Sequence, residues 1–373
     1  MRIPVRTFVS CLALIGSAVP AFGQFAAGNL VVLRVGDGAA ALTSGATPVF
    51  LDQFNTSSAN QTSPSFTFSM PTTGSFRLTE SGSATSAGQL TLNPLGTSVS
   101  VPGYDAAVGT AGVVGSSAPR VVNAVDLVGS GGVGVASQLV STTTSFPANN
   151  IRSAFSDGTT TWAVGANTGV VAFPGETVVS NTVVNNRVVN SFNGNLYFST
   201  GSGASRGIYQ VGTSGLPDTA GQTSTSIINA GGTASSYAFA INPAGDVAYL
   251  ADDRTVATGG GIQKWTLSGS TWTLAGTFTN LNGTESARGL AVDFSGANPV
   301  LYATTTATQN RLVALTDTGA NFTDQFTTLA IAPTNEAFRG VVLFTPVPEP
   351  ATILGIAAFG AFAVGGLRRR FAK

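Results

Sequence analysis

Histidine is absent from all 373 residues, and cysteine occurs once, at Cys11. Without histidine there is no Ser-His-Asp triad, no Cys-His nucleophile and no histidine-held zinc or haem. Cys11 sits within an N-terminal apolar stretch, too early and too deep to be a lipidated cysteine following a signal. The remaining chain therefore has no disulfide, even in a compartment that would permit one. Charge is equally scarce: Asp, Glu, Lys and Arg make up 9% of the chain, seventeen acids against seventeen bases. Six of the bases and one acid lie in the two terminal segments, residues 1–23 and 347–373, leaving eleven bases, sixteen acids and a net charge of −5 between them. Such a body lacks the cationic footprint of a nucleic-acid binder. There is no P-loop and no D-x-[DN]-x-[DN]-G calcium loop, and the glycine-rich run 129–134 precedes no helical pattern. Neither a metal nor a cofactor is expected.

What the sequence has is glycine, 46 residues of it, and a polar surface drawn mainly from Ser, Thr and Asn. Helical periodicity is hard to find between residues 24 and 346. Short apolar or alternating runs recur instead, at 30–35, 65–70, 75–79, 121–128, 161–164, 169–173 and 338–344, and read as strands bounded by turn residues. The second half repeats. Tyr197, Tyr249 and Tyr302 stand 52 and 53 residues apart in similar strands, each preceded by an apolar strand and followed by one or two more. Four strands per unit of about 50 residues is the period of a β-propeller blade. Residues 151–173 fit one compressed blade, with Trp162 where the later units carry tyrosine and Ser156-Asp157-Gly158 as its turn. Residues 72–140 have room for one or two more, and 338–344 can return to the first unit and close the ring. The expectation is an all-β propeller of six or seven blades, seven preferred, spanning residues 24–346; a β-sandwich or a two-domain β protein is the alternative. Residues 238–252, AFAINPAGDVAYLAD, resemble the repeat of YVTN- and NHL-type propellers.

The two ends carry targeting signals. Arg2 and Arg6 precede an apolar run, and Ala21-Phe22-Gly23 has small residues at −3 and −1, so residues 1–23 read as a signal peptide cleaved before Gln24. At the other end, Val347-Pro348-Glu349-Pro350 is held extended by its prolines. The uncharged run 351–367 would make roughly 26 Å of helix, just enough to span a bilayer core. Arg368, Arg369 and Arg370 would then hold the end 368–373 in the cytoplasm. This order of elements closely resembles the PEP-CTERM sorting signal of Gram-negative bacteria. The resemblance implies an exosortase-like membrane protease as partner, a transient stay in the inner membrane through residues 351–367, and release to the cell surface or an exopolysaccharide matrix.

Within the body, chemistry rests on carboxylates. Asp252, Asp253, Glu285 and Arg288 are the candidate binding residues; no catalytic residue is assigned. The pair Glu285-Ser-Ala-Arg288-Gly and Glu336-Ala-Phe-Arg339-Gly is the most specific echo in the body. It has two readings: an arginine on each blade's inner strand paired with glutamate between blades, or a polar ring at the central channel. Asp246 reads as a turn residue. The sequence thus points to an exported, non-enzymatic surface or matrix protein. An exported carbohydrate-active hydrolase or lyase on the same scaffold, or a permanently anchored periplasmic binding module, are the competing readings.

Overall fold

The computed structural model describes residues 24–346 apart from 129–132, 205 and 320. The expected signal peptide and the whole sorting segment lie outside the described residues. Among the described residues no helix is long and apolar enough to cross a membrane.

Six four-stranded antiparallel sheets follow one another as blades. Blade 3, for example, runs Ile151–Ser156, Thr161–Gly165, Val170–Phe173 and Thr177–Ser180 from the axis outward. The inner strands of blades 4, 5 and 6 are Asn186–Phe192, Ser236–Ile241 and Ala287–Asp293. Blade 2 begins with the short strand Thr91–Leu92. Blade 1 takes its inner strand from the far end of the body: Ala337–Leu343 pairs antiparallel with Leu30–Val35, so first and last strands share one sheet. The ring therefore closes within residues 24–346.

The second strand of each blade is flanked by neighbouring blades on both faces. Thr161–Gly165 is buried at every position, and a strand covered on both sides reads as a continuous apolar run. Tyr197, Tyr249 and Tyr302 are each the third residue of such a strand. They pair with Asn190, Ala240 and Ala291 of the adjoining inner strands. The tyrosine period thus marks equivalent positions in blades 4, 5 and 6.

The blade count is six, not seven. Residues 72–140 supply one blade. Residues 75–79, expected as a strand, begin in a turn with Phe76 exposed and contribute only an isolated bridge from Thr79 to Tyr104. The adjoining Glu80–Ser81 pairs with Ala46–Thr47 in a two-stranded sheet separate from the six blades. Strand-like composition here serves a long excursion that includes the short 3₁₀ turn Val113–Gly115, rather than another blade.

Close approach of backbones near the axis explains the Arg-Gly pairs. A Cβ on Gly340 would lie 2.3 Å from the amide nitrogen of Leu90 and 2.8 Å from the carbonyl of Gly88. One on Gly289 would lie 2.5 Å from the carbonyl of Arg339. Neither obstacle is the end of a flexible side chain, so relief requires the strands to part. Gly340→Ala should destabilise the body by roughly 1–3 kcal/mol, the usual cost of overpacking. Gly115→Ala, at a site with nothing within 4 Å, should stay within about 0.5 kcal/mol of wild type. Urea unfolding of the two variants checks this; equal midpoints would show that the inner strands are not packed this tightly.

Candidate functional site

Each inner strand enters the ring at the same register, and in five of the six blades it carries an extra residue there. The shift in pairing falls between Ile151 and Ser153, Asn186 and Val189, Ser236 and Phe239, and Ala287 and Gly289. In blade 1 it falls opposite Phe338 to Val341. A β-bulge kinks its strand and re-aims a side chain. The second residue of each strand or of its lead-in is Arg152, Arg187, Tyr237, Arg288 and, in the matching places of blades 1 and 2, Arg339 and Gln89. Four of the ten arginines in residues 24–346 thus gather at one mouth of the channel of an acidic body.

The contacts join these residues into a chain around the mouth. Arg187 Nη1 is 3.0 Å from the hydroxyl of Tyr237 and its guanidinium carbon 4.6 Å from that ring's centre. The guanidinium of Arg288 approaches the same ring at 5.9 Å, and Arg288 Nε donates to Asp253 Oδ2 at 3.0 Å. Gln89 donates its amide N–H to the carbonyl of Arg152 at 3.0 Å, and the amide of Gly340 donates to Gly88. Burial pushes Arg152 down to about 10, and the nearby charge of Arg187 adds to it. Arg339 is likewise pushed down to about 10 by burial and then by Arg288. Both stay cationic at neutral pH.

Beside Arg339 lies Glu80, held by the two-stranded sheet and fully buried. Its Oε1 accepts the amide of Ser81 at 2.7 Å. Desolvation pushes this carboxyl up to about 8, against the lowering effects of the Ser81 amide and of Arg339. Glu80 is therefore largely neutral at pH 7 and does not offset the arginines. Burial and Glu80 also raise the Tyr104 phenol.

The four residues expected as a binding group are separated by the structure. Asp252 is fully buried and held by Arg254 at 2.8 Å and Gln263 at 3.3 Å; it fixes its own loop. Glu285 pairs with Arg311 and accepts from Asn282 at 2.8 Å. Asp253 and Arg288 do meet, and at the mouth. The Glu-x-x-Arg-Gly echo divides accordingly: Glu336 binds Arg34 of its own blade at 3.0 Å and Glu285 binds Arg311 of its own, while Arg288 and Arg339 go to the axis. Glutamate and arginine of the motif are not partners across blades. Asp246 accepts from Asn242 at 2.8 Å within its turn. Sequence reasoning missed Arg152, Arg187, Tyr237, Gln89 and Glu80 as site residues. The signal was present: Arg187, Tyr237, Arg288 and Arg339 are 50, 51 and 51 residues apart.

Further along the axis the lining changes character. Beyond the bulges at Arg288 and Arg339 the strands run on through Leu290 and Val292 and through Val341 and Leu343. These enter a cavity of about 500 Å3 at the strands' far ends, walled by Phe155, Phe192, Phe239 and Phe294. The channel is cationic at one end and apolar and aromatic at the other. Among the described residues no group of His, Cys, Asp and Glu is arranged to hold a metal ion.

Residues 346–370 match the PEP-CTERM protein-sorting motif. This motif marks an exported protein handled by exosortase. No curated protein matches the chain as a relative. Among solved structures, a protein of Bacteroides uniformis assigned as a 6-phosphogluconolactonase is similar at 13% identity and a TM-score of 0.46, covering 82% of this chain and 83% of that one. The periplasmic gluconolactonase of Pseudomonas aeruginosa is similar at 15% identity and a TM-score of 0.45, covering 80% and 82%. Both names are those of enzymes. At this distance the likeness carries nothing about the chemistry of the present chain.

Glu80 makes stability depend on pH with a definite sign. An acid raised in the fold keeps a proton that the unfolded chain loses above its ordinary value of 4.5, so stability falls as pH rises from there towards about 8. Glu80→Gln removes that dependence. The thermal midpoint of the variant relative to wild type should rise steadily between pH 5 and pH 8; a difference that stays flat would mean the carboxyl is ionised in the folded protein.

Proposed function

We propose that the protein is a non-enzymatic component of the cell surface or extracellular matrix that binds exopolysaccharide at the arginine-bearing mouth of its propeller. The observation that carries the reading is the recurrence of a polar side chain at one bulged position of the inner strands, which builds a single face out of separate blades. Two features of that face favour binding over hydrolysis. A glycosidase uses a pair of carboxyl groups flanking the bond it cuts. Here Asp253 is engaged by Arg288, and Glu80 is sealed from solvent.

The position of the chain's exit supports the same reading. Leu343 and Thr345 line the apolar end of the channel, so the sorting segment departs from the end opposite the arginines. Four residues lie between Pro346 and Ala351, so the two stand about 18 Å apart at most. A helix at 351–367 held in the inner membrane would keep the apolar end close to the bilayer and point the cationic mouth away. Processing at Val347, Pro348, Glu349 and Pro350 by an exosortase-like protease would then free the body with its binding face unchanged.

Two measurements test this. Residues 24–346 should be retained on immobilised exopolysaccharide from a producing bacterium and leave its chain length unchanged. Release of shorter or unsaturated sugars would replace the reading with the hydrolase or lyase alternative. In cells, replacing Pro348, Glu349 and Pro350 with alanine should leave export intact and trap full-length precursor in the inner membrane. Arrival at the surface at the native size and rate would show that the motif is not the sorting determinant.

A further inference from the structure

The chain contains a comparison for the mouth arginines. Arg120, 2% exposed, is a buried arginine with a structural role, since its Nε, Nη1 and Nη2 donate to the carbonyls of Asn149, Ser116, Ala118 and Val114 at 2.6–3.1 Å. The mouth arginines are not satisfied in that way. Arg152 spends Nη1 on Asn185 Oδ1 and the Asn186 carbonyl. Arg187 spends Nη1 on Tyr237, and Arg339 spends Nη2 on the Gly82 carbonyl. The Nε groups of all three are buried and make no hydrogen bond within the protein, and neither does Nε2 of Gln89 beside them. Arg152 and Arg339 are 7% and 5% exposed and Gln89 is 1% exposed. Among the described residues none of these three arginines lies within ion-pair distance of a carboxylate. Buried donors are normally satisfied and buried charges normally paired. Here donors and charges are left over together, in neighbouring residues.

We infer that the mouth is an oxyanion receptor in which Arg152, Arg187 and Arg339, with Gln89, take up a carboxylate or phosphate group of the ligand. This rests on the reading that the mouth is the working face and gives that reading its chemistry. A guanidinium offers planar, paired N–H donors that match both kinds of oxyanion, and the bond is charge-assisted. Arg288 is the arginine of the ring already neutralised, by Asp253, so it frames the site instead of filling it. Tyr237, buried between Arg187 and Arg288, holds Arg187 in place through its hydroxyl and ring and leaves no face free for a sugar. An acidic polysaccharide and a phosphorylated one share the required group.

Isothermal titration of residues 24–346 at fixed ionic strength, with galacturonate, oligogalacturonate, galactose and inorganic phosphate as probes, tests the inference. A charged probe should bind at least tenfold more tightly than galactose. Arg187→Gln, at the least buried of the three arginines, should weaken that probe tenfold or more without changing any retention of neutral sugar. Stronger binding of the oligomer than of phosphate would assign a uronate polymer; binding of phosphate alone would assign a phosphoryl group. Equal affinity for galactose and galacturonate in the wild-type protein, with no response to phosphate, overturns the inference whether or not the variants fold. The two proposals fail separately. Exopolysaccharide retention unaffected by Arg187→Gln or Arg339→Gln would leave a matrix protein without an oxyanion site. Phosphate binding with no exopolysaccharide retention would leave the site and remove the matrix ligand.

Discussion

Six strands crowd around one axis, and the lack of space between their backbones governs most of what this protein is. At Gly340 and Gly289 a neighbouring backbone stands where a methyl group would be, so those positions admit hydrogen only. The strands relieve the crowding by taking an extra residue at the point of entry. That bulge turns the preceding residue towards the axis. Packing therefore explains the glycine of each Arg-Gly pair, and the same geometry delivers its arginine to the mouth. Structure and site share a cause, and a substitution at the glycine disturbs both.

The parts legible in sequence were those with a local cause. The tyrosine strands could be read because burial on both faces leaves an apolar run, repeated about every 50 residues. The closing strand could be read because 338–344 follows the last tyrosine unit and can complete the first unit. The blade count was not legible, since residues 75–79 have the composition of a strand but give only one bridge, at Thr79, and nothing in composition separates an excursion from a blade. The site was hidden for a different reason. Each blade gives it one side chain, and an isolated arginine 50 residues from the next carries no motif. The Glu-x-x-Arg-Gly echo exposed two members. It also misled: Glu285 and Glu336 bind Arg311 and Arg34 of their own blades, so the motif joins two unrelated roles in adjacent residues.

Electrostatics separates the mouth from the rest of the body. Elsewhere charge is used in closed pairs, as in Arg254 with Asp252 and Lys264 with Asp317, or is absorbed by carbonyls, as at Arg120. A net charge of −5 over residues 24–346 would make neutralising carboxylates easy to supply. Yet the carboxyl that acts on Arg339 is Glu80, which burial keeps largely protonated. Desolvation thus disarms the one acid placed to cancel the cation beside it. A structural ion pair would gain nothing from that arrangement. Each buried, unpaired arginine costs stability, and the fold carries two of them, Arg152 and Arg339, with the half-buried Arg187 beside them.

The same axis that gathers the arginines also separates them from the chain's exit. One strand carries Arg339 at its bulge and then Val341 and Leu343, which line the aromatic cavity. That strand is the last of the ring and is held by the first. The ring is therefore closed within residues 24–346, by a pairing made entirely among the described residues.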